Sequence, residues 1–552
     1  MAMFLNTPLP YKRYKKISET TYFVDKTCIL NDVLGCIEEE TQYICITRPR
    51  RFGKTIMANM LGAFLGKGWD SSQIFDHLQI AGSAKYQKYL NQYDIIYIDF
   101  SRLPENCTSY QQYINRIITG LKSDLKNAYP EYKLNFEAAV WDMFSAISDR
   151  SDQQFIFIMD EWDAVFHMPF ITETDKAEYI LFLKTLLKDQ DYVALAYITG
   201  ILPISKYSSG SELNMFMEFK MTSMEAFGEY FGFTDEEVDI LYEKYLQICK
   251  NPQVSRQGLQ EWYDGYFTAS GMRLYNPRSV VMALRFNQLS NYWTSSGPYD
   301  EIFYYIRNDI DQIKDDLALM VSGEGVDARI DEFAASAMEL KSRNQIYSAM
   351  VVYGLLTFIN GKVFIPNKEL MLKYEELLQT EKSLGYVYQL ARVSDQMLKA
   401  TLSGDAQKMA DILQYAHNTE SPIFSYNSEI ELSAIVNLVY LSARNKYRIE
   451  REDKAGKGFV DFIFYPWNAS EPCIILELKA DHSPEEAIQQ IKEKDYLLRF
   501  QGKLGENRKY TGEILGVGIS YDKKTKEHQC KVEILSNKKH TCKIERQEIF
   551  RP

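Results

Sequence analysis

Short apolar runs alternate with longer amphipathic stretches between about residues 43 and 200. Tyr43–Thr47, Ile95–Phe100, Phe155–Met159 and Val193–Ile198 each have the length of a buried strand and are each followed by a polar or turn-forming residue. The intervening segments are long enough for crossover helices, so the pattern predicts a parallel sheet covered on both faces, with ligands at the carboxyl ends of its strands. From about 215 to 300 the periodicity turns helical. EEVDILYEKYL is its clearest amphipathic segment, and turn residues cluster at 262–266, 275–277 and 295–298. The helical pattern continues to about 420, interrupted at Ala349–Ile365 by a strand pair around Asn360-Gly361. Beyond it, a long helix at Ser428–Lys446 precedes strands at Phe459–Tyr465 and Cys473–Ala480, a helix from Ser483, and strands at Glu513–Tyr521 and Cys530–Leu535. The expected class is α/β. A sheet domain at 1–215 carries a helical lid at 216–300; a mostly helical linker at 301–414 leads to a second α/β unit at 415–552.

A chain of 552 residues is too long for one hydrophobic core. No apolar run approaches the roughly 18 residues of a membrane span, and the N-terminus lacks the apolar region of a secretory signal. A soluble, cytoplasmic protein is the expectation. The eight cysteines form no CxxC pair and no zinc-like spacing with histidine, which favours reduced thiols over a disulfide framework. The net charge of −12 argues against a generally cationic, nucleic-acid-coating protein. Two local basic surfaces stay open: Arg48, Arg50, Arg51 and Lys54, and the tail from Tyr521, with nine Lys/Arg against five Asp/Glu.

Candidate chemistry begins where Ile46-Thr47 runs into Arg48-Pro49-Arg50-Arg51-Phe52-Gly53-Lys54-Thr55 and a helix opens. That is the context of a phosphate-binding loop. The turn over Pro49–Thr55 and the first helical turn would wrap the phosphates with their backbone N–H groups (Pro49 itself having none), Lys54 would neutralise their outer oxygens, and the Thr55 hydroxyl would ligate Mg²⁺. One departure stands out, since Arg48 occupies the position of the usual first glycine. The apolar strand Phe155–Met159 ends in Asp160-Glu161, where Asp160 would hold the Mg²⁺ shell and Glu161 would orient or deprotonate a water. The next strand ends at Thr199-Gly200 and leads to Ser205-Lys206, either a γ-phosphate sensor or an ordinary turn. Asp25-Lys26 and Asp99 are weaker positions.

Arg48-Pro-Arg-Arg-Phe-Gly-Lys-Thr55, Phe23-Val-Asp-Lys-Thr27, Asp160-Glu-Trp-Asp163, Thr199-Gly200 with Ser205-Lys206, and Trp262-Tyr-Asp-Gly-Tyr266 together resemble the bacterial AAA-ATPase-like family over roughly 5–300. In that family arginine typically replaces the first glycine of the loop. The resemblance implies a P-loop NTPase fold that binds and hydrolyses ATP with Mg²⁺. It assigns no arginine finger, although Arg50 and Arg51 stand where they would touch nucleotide or a neighbouring subunit.

A second constellation lies near the C-terminus. Asp461 sits in one strand-like run and Glu477 and Lys479 in the next, joined by Pro466–Pro472. A hairpin centred near residue 469 puts both carboxylates at one level, and strand alternation puts Glu477 and Lys479 on one face. Ile474-Ile475-Leu476 is uninterrupted, indicating a strand covered on both sides. Two carboxylates would bind divalent cations and the lysine would position water or stabilise developing charge, chemistry suited to phosphodiester hydrolysis. Asp461-x₁₅-Glu477-x-Lys479 resembles the PD-(D/E)XK nuclease superfamily, whose fold is restriction-endonuclease-like, over about 415–525. The resemblance adds Glu431 as a further metal-site carboxylate and Gln490 as a contact to phosphate or metal shell. Two plainer readings remain: Ser428-x-x-Glu431 is also a capping box, and Gln490 is also an ordinary exposed glutamine. Many relatives carry arginine where this chain has Phe459-Val460. Joined, the two resemblances imply an ATPase domain gating a Mg²⁺-dependent DNA endonuclease, with defence against foreign DNA as the family setting and homo-oligomerisation open. The competing reading is a STAND-like nucleotide switch whose C-terminal domain binds nucleic acid or a partner without cutting.

Overall fold

A computed structural model describes residues 2–204, 212–222, 225–293, 306, 310–330, 342–418, 429–455, 458–494, 500 and 509–535. The chain folds as two compact units: Met1–Ile306 with Asp327–Met371, and Arg307–Val326 with Leu372–Pro552. In this grouping 216–306 and 327–371 go with the first sheet, and 307–326 and the chain from 372 onward with the second. Among the described residues no helix is long and apolar enough to cross a membrane, and every cysteine is free.

The first unit is built on strands β1 (Tyr43–Thr47), β2 (Asp94–Asp99), β3 (Phe155–Asp160), β4 (Val193–Gly200) and β5 (Met217–Lys220), in the order β2-β3-β4-β1-β5. All neighbours are parallel. Alternate residues of each strand feed two different cores, as a doubly covered sheet requires. One core joins Ile44, Ile46, Tyr97 and Ile158 to the helices Ile29–Glu38 and Lys54–Leu65. The other joins Cys45, Ile96, Phe157 and Ile198 to Tyr110–Ala128, Val140–Ser151 and Glu173–Leu187. Strand β5 was not foreseen; MEFK is too short and too charged to stand out from the helical pattern around it.

Helices Asp235–Ile248, Arg256–Tyr263 and Pro277–Phe286 share a core of their own. Thr234 caps the first, in a capping box with Glu237. Further on, Thr357–Ile359 pairs antiparallel with Lys362–Phe364. Asn360 and Gly361 turn between them at φ 51° and 78°, the left-handed pair a tight hairpin needs.

In the second unit β6 (Tyr447–Ala455), β7 (Gly458–Pro466), β8 (Cys473–Ala480), β9 (Ile514–Asp522) and β10 (Glu527–Leu535) form a mixed sheet in chain order. Only β8–β9 is parallel, and the helix Pro484–Glu493 makes the crossover between them. Strand β6 escaped the sequence pattern because its alternate positions are charged. The helix expected over 428–446 spans Glu429–Val439 and ends in a 3₁₀ turn at Leu441–Asn445.

Candidate functional site

The candidate phosphate-binding loop leaves β1 and enters the helix Lys54–Leu65 through Gly53, which takes φ 93°, a left-handed conformation cheap only for glycine. Met57, Met60, Leu61, Phe64 and Leu65 are buried; at roughly 1.5–3 kcal/mol for each large apolar side chain, they fix the helix and its N-terminus against the sheet. Lys54 is only 4% exposed. Its ammonium donates to the carbonyls of Arg48 (2.9 Å) and Pro49 (3.1 Å), and burial lowers its pKa.

Arg48 corrects one expectation. It forms no basic surface with Arg50, Arg51 and Lys54, because it is 1% exposed and points under the sheet edge. Its Nη1 donates to Thr47 O (2.8 Å) and to Phe219 O of β5 (2.6 Å), and its guanidinium lies 5.1 Å from the Phe231 ring centroid. Burial lowers its pKa to about 10. Arg48 therefore ties β1 to β5, while half-buried Arg50 and exposed Arg51 flank the loop's mouth.

Parallel register sets Asp99, Asp160, Thr199 and Ile46 level at the carboxyl edge. Burial and the adjacent Glu161 push Asp160 up to about 7, with a hydrogen bond from Thr55 acting against them. Asp160 Oδ1 and Thr199 Oγ1 are buried without a hydrogen-bond partner. Such an oxygen costs roughly 1–3 kcal/mol, which a bound cation or its water would recover. Glu161 sits at φ 54°, and burial raises its pKa. Asp163 is committed to the backbone instead, since its Oδ2 accepts the Ile201 and Leu202 N–H groups (3.0 and 2.8 Å). A Cβ on Gly200 would lie 2.5 Å from Asp163 Oδ1, so the Asp160–Asp163 and Thr199-Gly200 motifs interlock.

Pro49 does not line the resulting cavity of about 760 Å³, but Arg50, Arg51, Phe52, Gly53, Lys54, Thr55, Asp160 and Glu161 do. Its far walls carry Ile17, Tyr22, Phe23, Phe233, Arg278, Val281 and Met282. Those walls were not foreseen. Asn276-Pro277 gave the one available signal, a helix start whose first turn holds Arg278; Asn276 indeed caps that helix. Asp25 and Asp99 are occupied locally, by Thr27 and Gln79 and by Ser101 and Arg102. Ser205 and Lys206 lie outside the described residues.

At the second site the hairpin register is as expected. Phe462 faces Leu476, Ile463 faces Ile475 and Phe464 faces Ile474, so Asp461 and Glu477 fall at one level, one step past the last paired residues. Asp461 Oδ2 accepts the Leu478 N–H at 2.7 Å. Glu477 is 3% exposed. Its Oε1 accepts from Lys479 Nζ (3.2 Å) and from Gln490 Nε2, and its Oε2 is buried without a partner. Burial, then the charge of Asp461, pushes Glu477 up to about 7. Gln490 arrives because the Pro484–Glu493 helix sits directly on β9: a Cβ on Gly518 would lie 2.3 Å from Pro484 O. His482, just beyond β8, pairs with Glu486 at 3.0 Å. Glu431 lies in the Glu429–Val439 helix, its side chain outside the described residues. Among the described residues no group of three or more His, Cys, Asp or Glu forms a metal cluster. The orphaned Glu477 oxygen beside Asp461 is nonetheless the donor set a hard cation takes.

Comparison with known proteins finds a family for each of these regions. A sequence model described as a predicted AAA-ATPase matches residues 8–209, and one of the PD-(D/E)XK nuclease superfamily matches 432–529. Curated protein sequences give no match. Among solved structures, the ORC2 protein of Aeropyrum pernix, in ADPNP–ADP complexes, is 10% identical, covering 65% of this chain and 94% of its own, with a TM-score of 0.31. A Walker-type ATPase of Pyrococcus abyssi is 10% identical over 63% of this chain and 94% of its own, with a TM-score of 0.32. A STAND protein with a tetratricopeptide-repeat sensor from Pyrococcus horikoshii is 14% identical over 74% of this chain and 49% of its own, with a TM-score of 0.22. The chain thus carries a predicted AAA-ATPase domain at residues 8–209 and a PD-(D/E)XK nuclease superfamily domain at residues 432–529.

Proposed function

We propose that the first unit binds and hydrolyses ATP and thereby governs a metal-dependent deoxyribonuclease in the second. The observation that carries the cutting half is the convergence of Asp461, Lys479 and Gln490 on the Glu477 segment, with Lys479 and Gln490 bonded to Glu477 Oε1 and its Oε2 buried without a partner. A non-cutting binder gains nothing from that costly arrangement. Asp461 and Glu477 would hold the divalent cation, and in the first unit Thr55 and Asp160 would hold Mg²⁺ with the triphosphate. Bound there, the cations supply Lewis acidity toward phosphate and lower the pKa of water.

The protein's own groups do the rest. Lys54 exchanges loop carbonyls for phosphate oxygens, a trade favoured by its buried, poorly solvated charge. Glu161, its pKa raised by burial, accepts a proton from the attacking water better than an ordinary carboxylate does. Lys479 balances Glu477 in the resting site and faces the charge that develops on a scissile phosphate. DNA is the substrate the nuclease superfamily suggests, defence against foreign DNA is the setting the family analogy offers, and the cytoplasm is the proposed location. The test incubates purified full-length protein with plasmid, linear and single-stranded DNA, with Mg²⁺ or Mn²⁺ and with or without ATP. Cleavage that persists unchanged after Asp461→Ala with Lys479→Ala would remove the nuclease.

A further inference from the structure

The nucleotide loop is packed, on its outer side, against a segment far along the chain. Phe52 is buried and meets Tyr266 edge to face at 4.9 Å between ring centroids. The Tyr266 hydroxyl donates to Gly354 O at 3.1 Å. Gly354 itself takes φ 77°, and a Cβ there would lie 2.6 Å from Pro49 Cβ, so the loop's proline seats on bare glycine backbone. A second contact reaches the same place. Leu202, whose N–H is held by Asp163, packs on Ala349 in the helix Arg343–Val352. The loop after β1 and the loop after β4 therefore converge on residues 349–354.

The chain beyond is fastened to the same support. Gly265 lies so close to Pro366 that a Cβ would sit 1.9 Å from its carbonyl oxygen. Asn367 Nδ2 donates to Asp264 O at 3.0 Å, and its Oδ1 accepts the Leu370 N–H, capping the helix Lys368–Thr380. In that helix's first turn, buried Glu369 accepts from Ser279 Oγ (2.8 Å) and from the Tyr292 and Trp293 N–H groups (2.5 and 2.7 Å). The boundary between the two compact units, at 371/372, falls inside this helix.

We propose that Tyr266 and Gly354 form a relay that passes the state of the phosphate loop to residues 349–371, and so to the helix that leads into the nuclease-superfamily unit. This rests on the nucleotide-binding reading above. The driving change is local. A triphosphate that draws Lys54 Nζ away from the Pro49 carbonyl frees the peptide whose ring is wedged on Gly354. Close-packed contacts transmit such a displacement instead of absorbing it. Tyr266 is a positioning residue here, acting on nucleotide only through Phe52.

Hydrogen exchange of the full-length chain, with Mg²⁺ and with or without a non-hydrolysable ATP analogue, tests the relay beside a titration with a fluorescent ATP analogue. In the wild type, nucleotide should shift amide exchange across 349–371 by about tenfold or more. Tyr266→Phe and Tyr266→Leu should bind nucleotide within about threefold of wild type, keep the nucleotide-free exchange pattern elsewhere, and lose more than half of that shift. Nucleotide binding with no change at 349–371, or a full shift in both variants, would overturn the relay alone. Failure of the wild type to bind nucleotide would overturn the binding reading and the relay with it.

Discussion

Asp160 at the end of β3 and Glu477 within β8 are both buried carboxyls pushed up to about 7, yet the lysines beside them are spent differently. Lys54 donates to main-chain carbonyls of its own loop, whereas Lys479 is paired directly with Glu477. Carbonyl dipoles stabilise an ammonium without neutralising it, so Lys54 keeps its own charge to offer a polyanion. The second has its cation committed to a carboxylate and offers oxygen donors to a metal. Equal burial thus suits the first place to the phosphate proposed for it and the second to the proposed cation, according to what each lysine can reach.

The strongest way to break this comparison is to remove the second site's chemistry alone. Asp461→Ala with Lys479→Ala should lower DNA cleavage by about 10³-fold or more and leave ATP turnover within about twofold, measured on the same preparation. Coupled loss of both activities would mean the sites are not independent. Lys54→Ala should reduce ATP hydrolysis by about 10²-fold and weaken nucleotide binding, read by phosphate release and calorimetry.

Acidity separates the sites' charges next. Asp160 and Glu477 have folded pKa values above their ordinary 3.8 and 4.5. Each therefore contributes stability that is fully present below the ordinary value and lost as pH rises toward about 7. Cation binding runs the opposite way, because it needs the carboxylate. Divalent affinity at the second site should fall by up to about tenfold for each pH unit below 7, while without cation the thermal midpoint should decline from pH 5 to pH 7.

Two smaller effects sharpen the structural side. Gly518→Ala should lift the Pro484–Glu493 helix, costing about 1–3 kcal/mol in denaturant unfolding, and part Gln490 from Glu477. Arg48→Met should leave nucleotide affinity within about threefold. A buried guanidinium that braces β5 carries no phosphate, whatever its place in the loop motif.

Both sites were legible where the residues that make them are close in sequence or related by strand geometry. Gly53-Lys54-Thr55 follows an apolar strand and opens a helix, Asp160-Glu161 closes another, and the hairpin arithmetic over 461–477 needs only a period of two and a short connection. These are local rules, each acting over a few residues. Arg48 was misplaced because burial is not local: its direction depends on β5 and Phe231, which arrive about 170 to 180 residues later.

Most strands and helices, β5 and β6 excepted, and the residue types at each acidic strand end were thus determined by the sequence itself, since backbone periodicity and side-chain chemistry belong to each short segment. The tertiary structure alone decided that Lys54 would be held by carbonyls and Lys479 by a carboxylate, that Gln490 would reach Glu477 over Gly518, and that residues 327–371 would pack with the first sheet's unit. Such outcomes depend on which distant surfaces exclude water together, and desolvation, which sets both the raised acids and the orphaned oxygens, exists only once they have met.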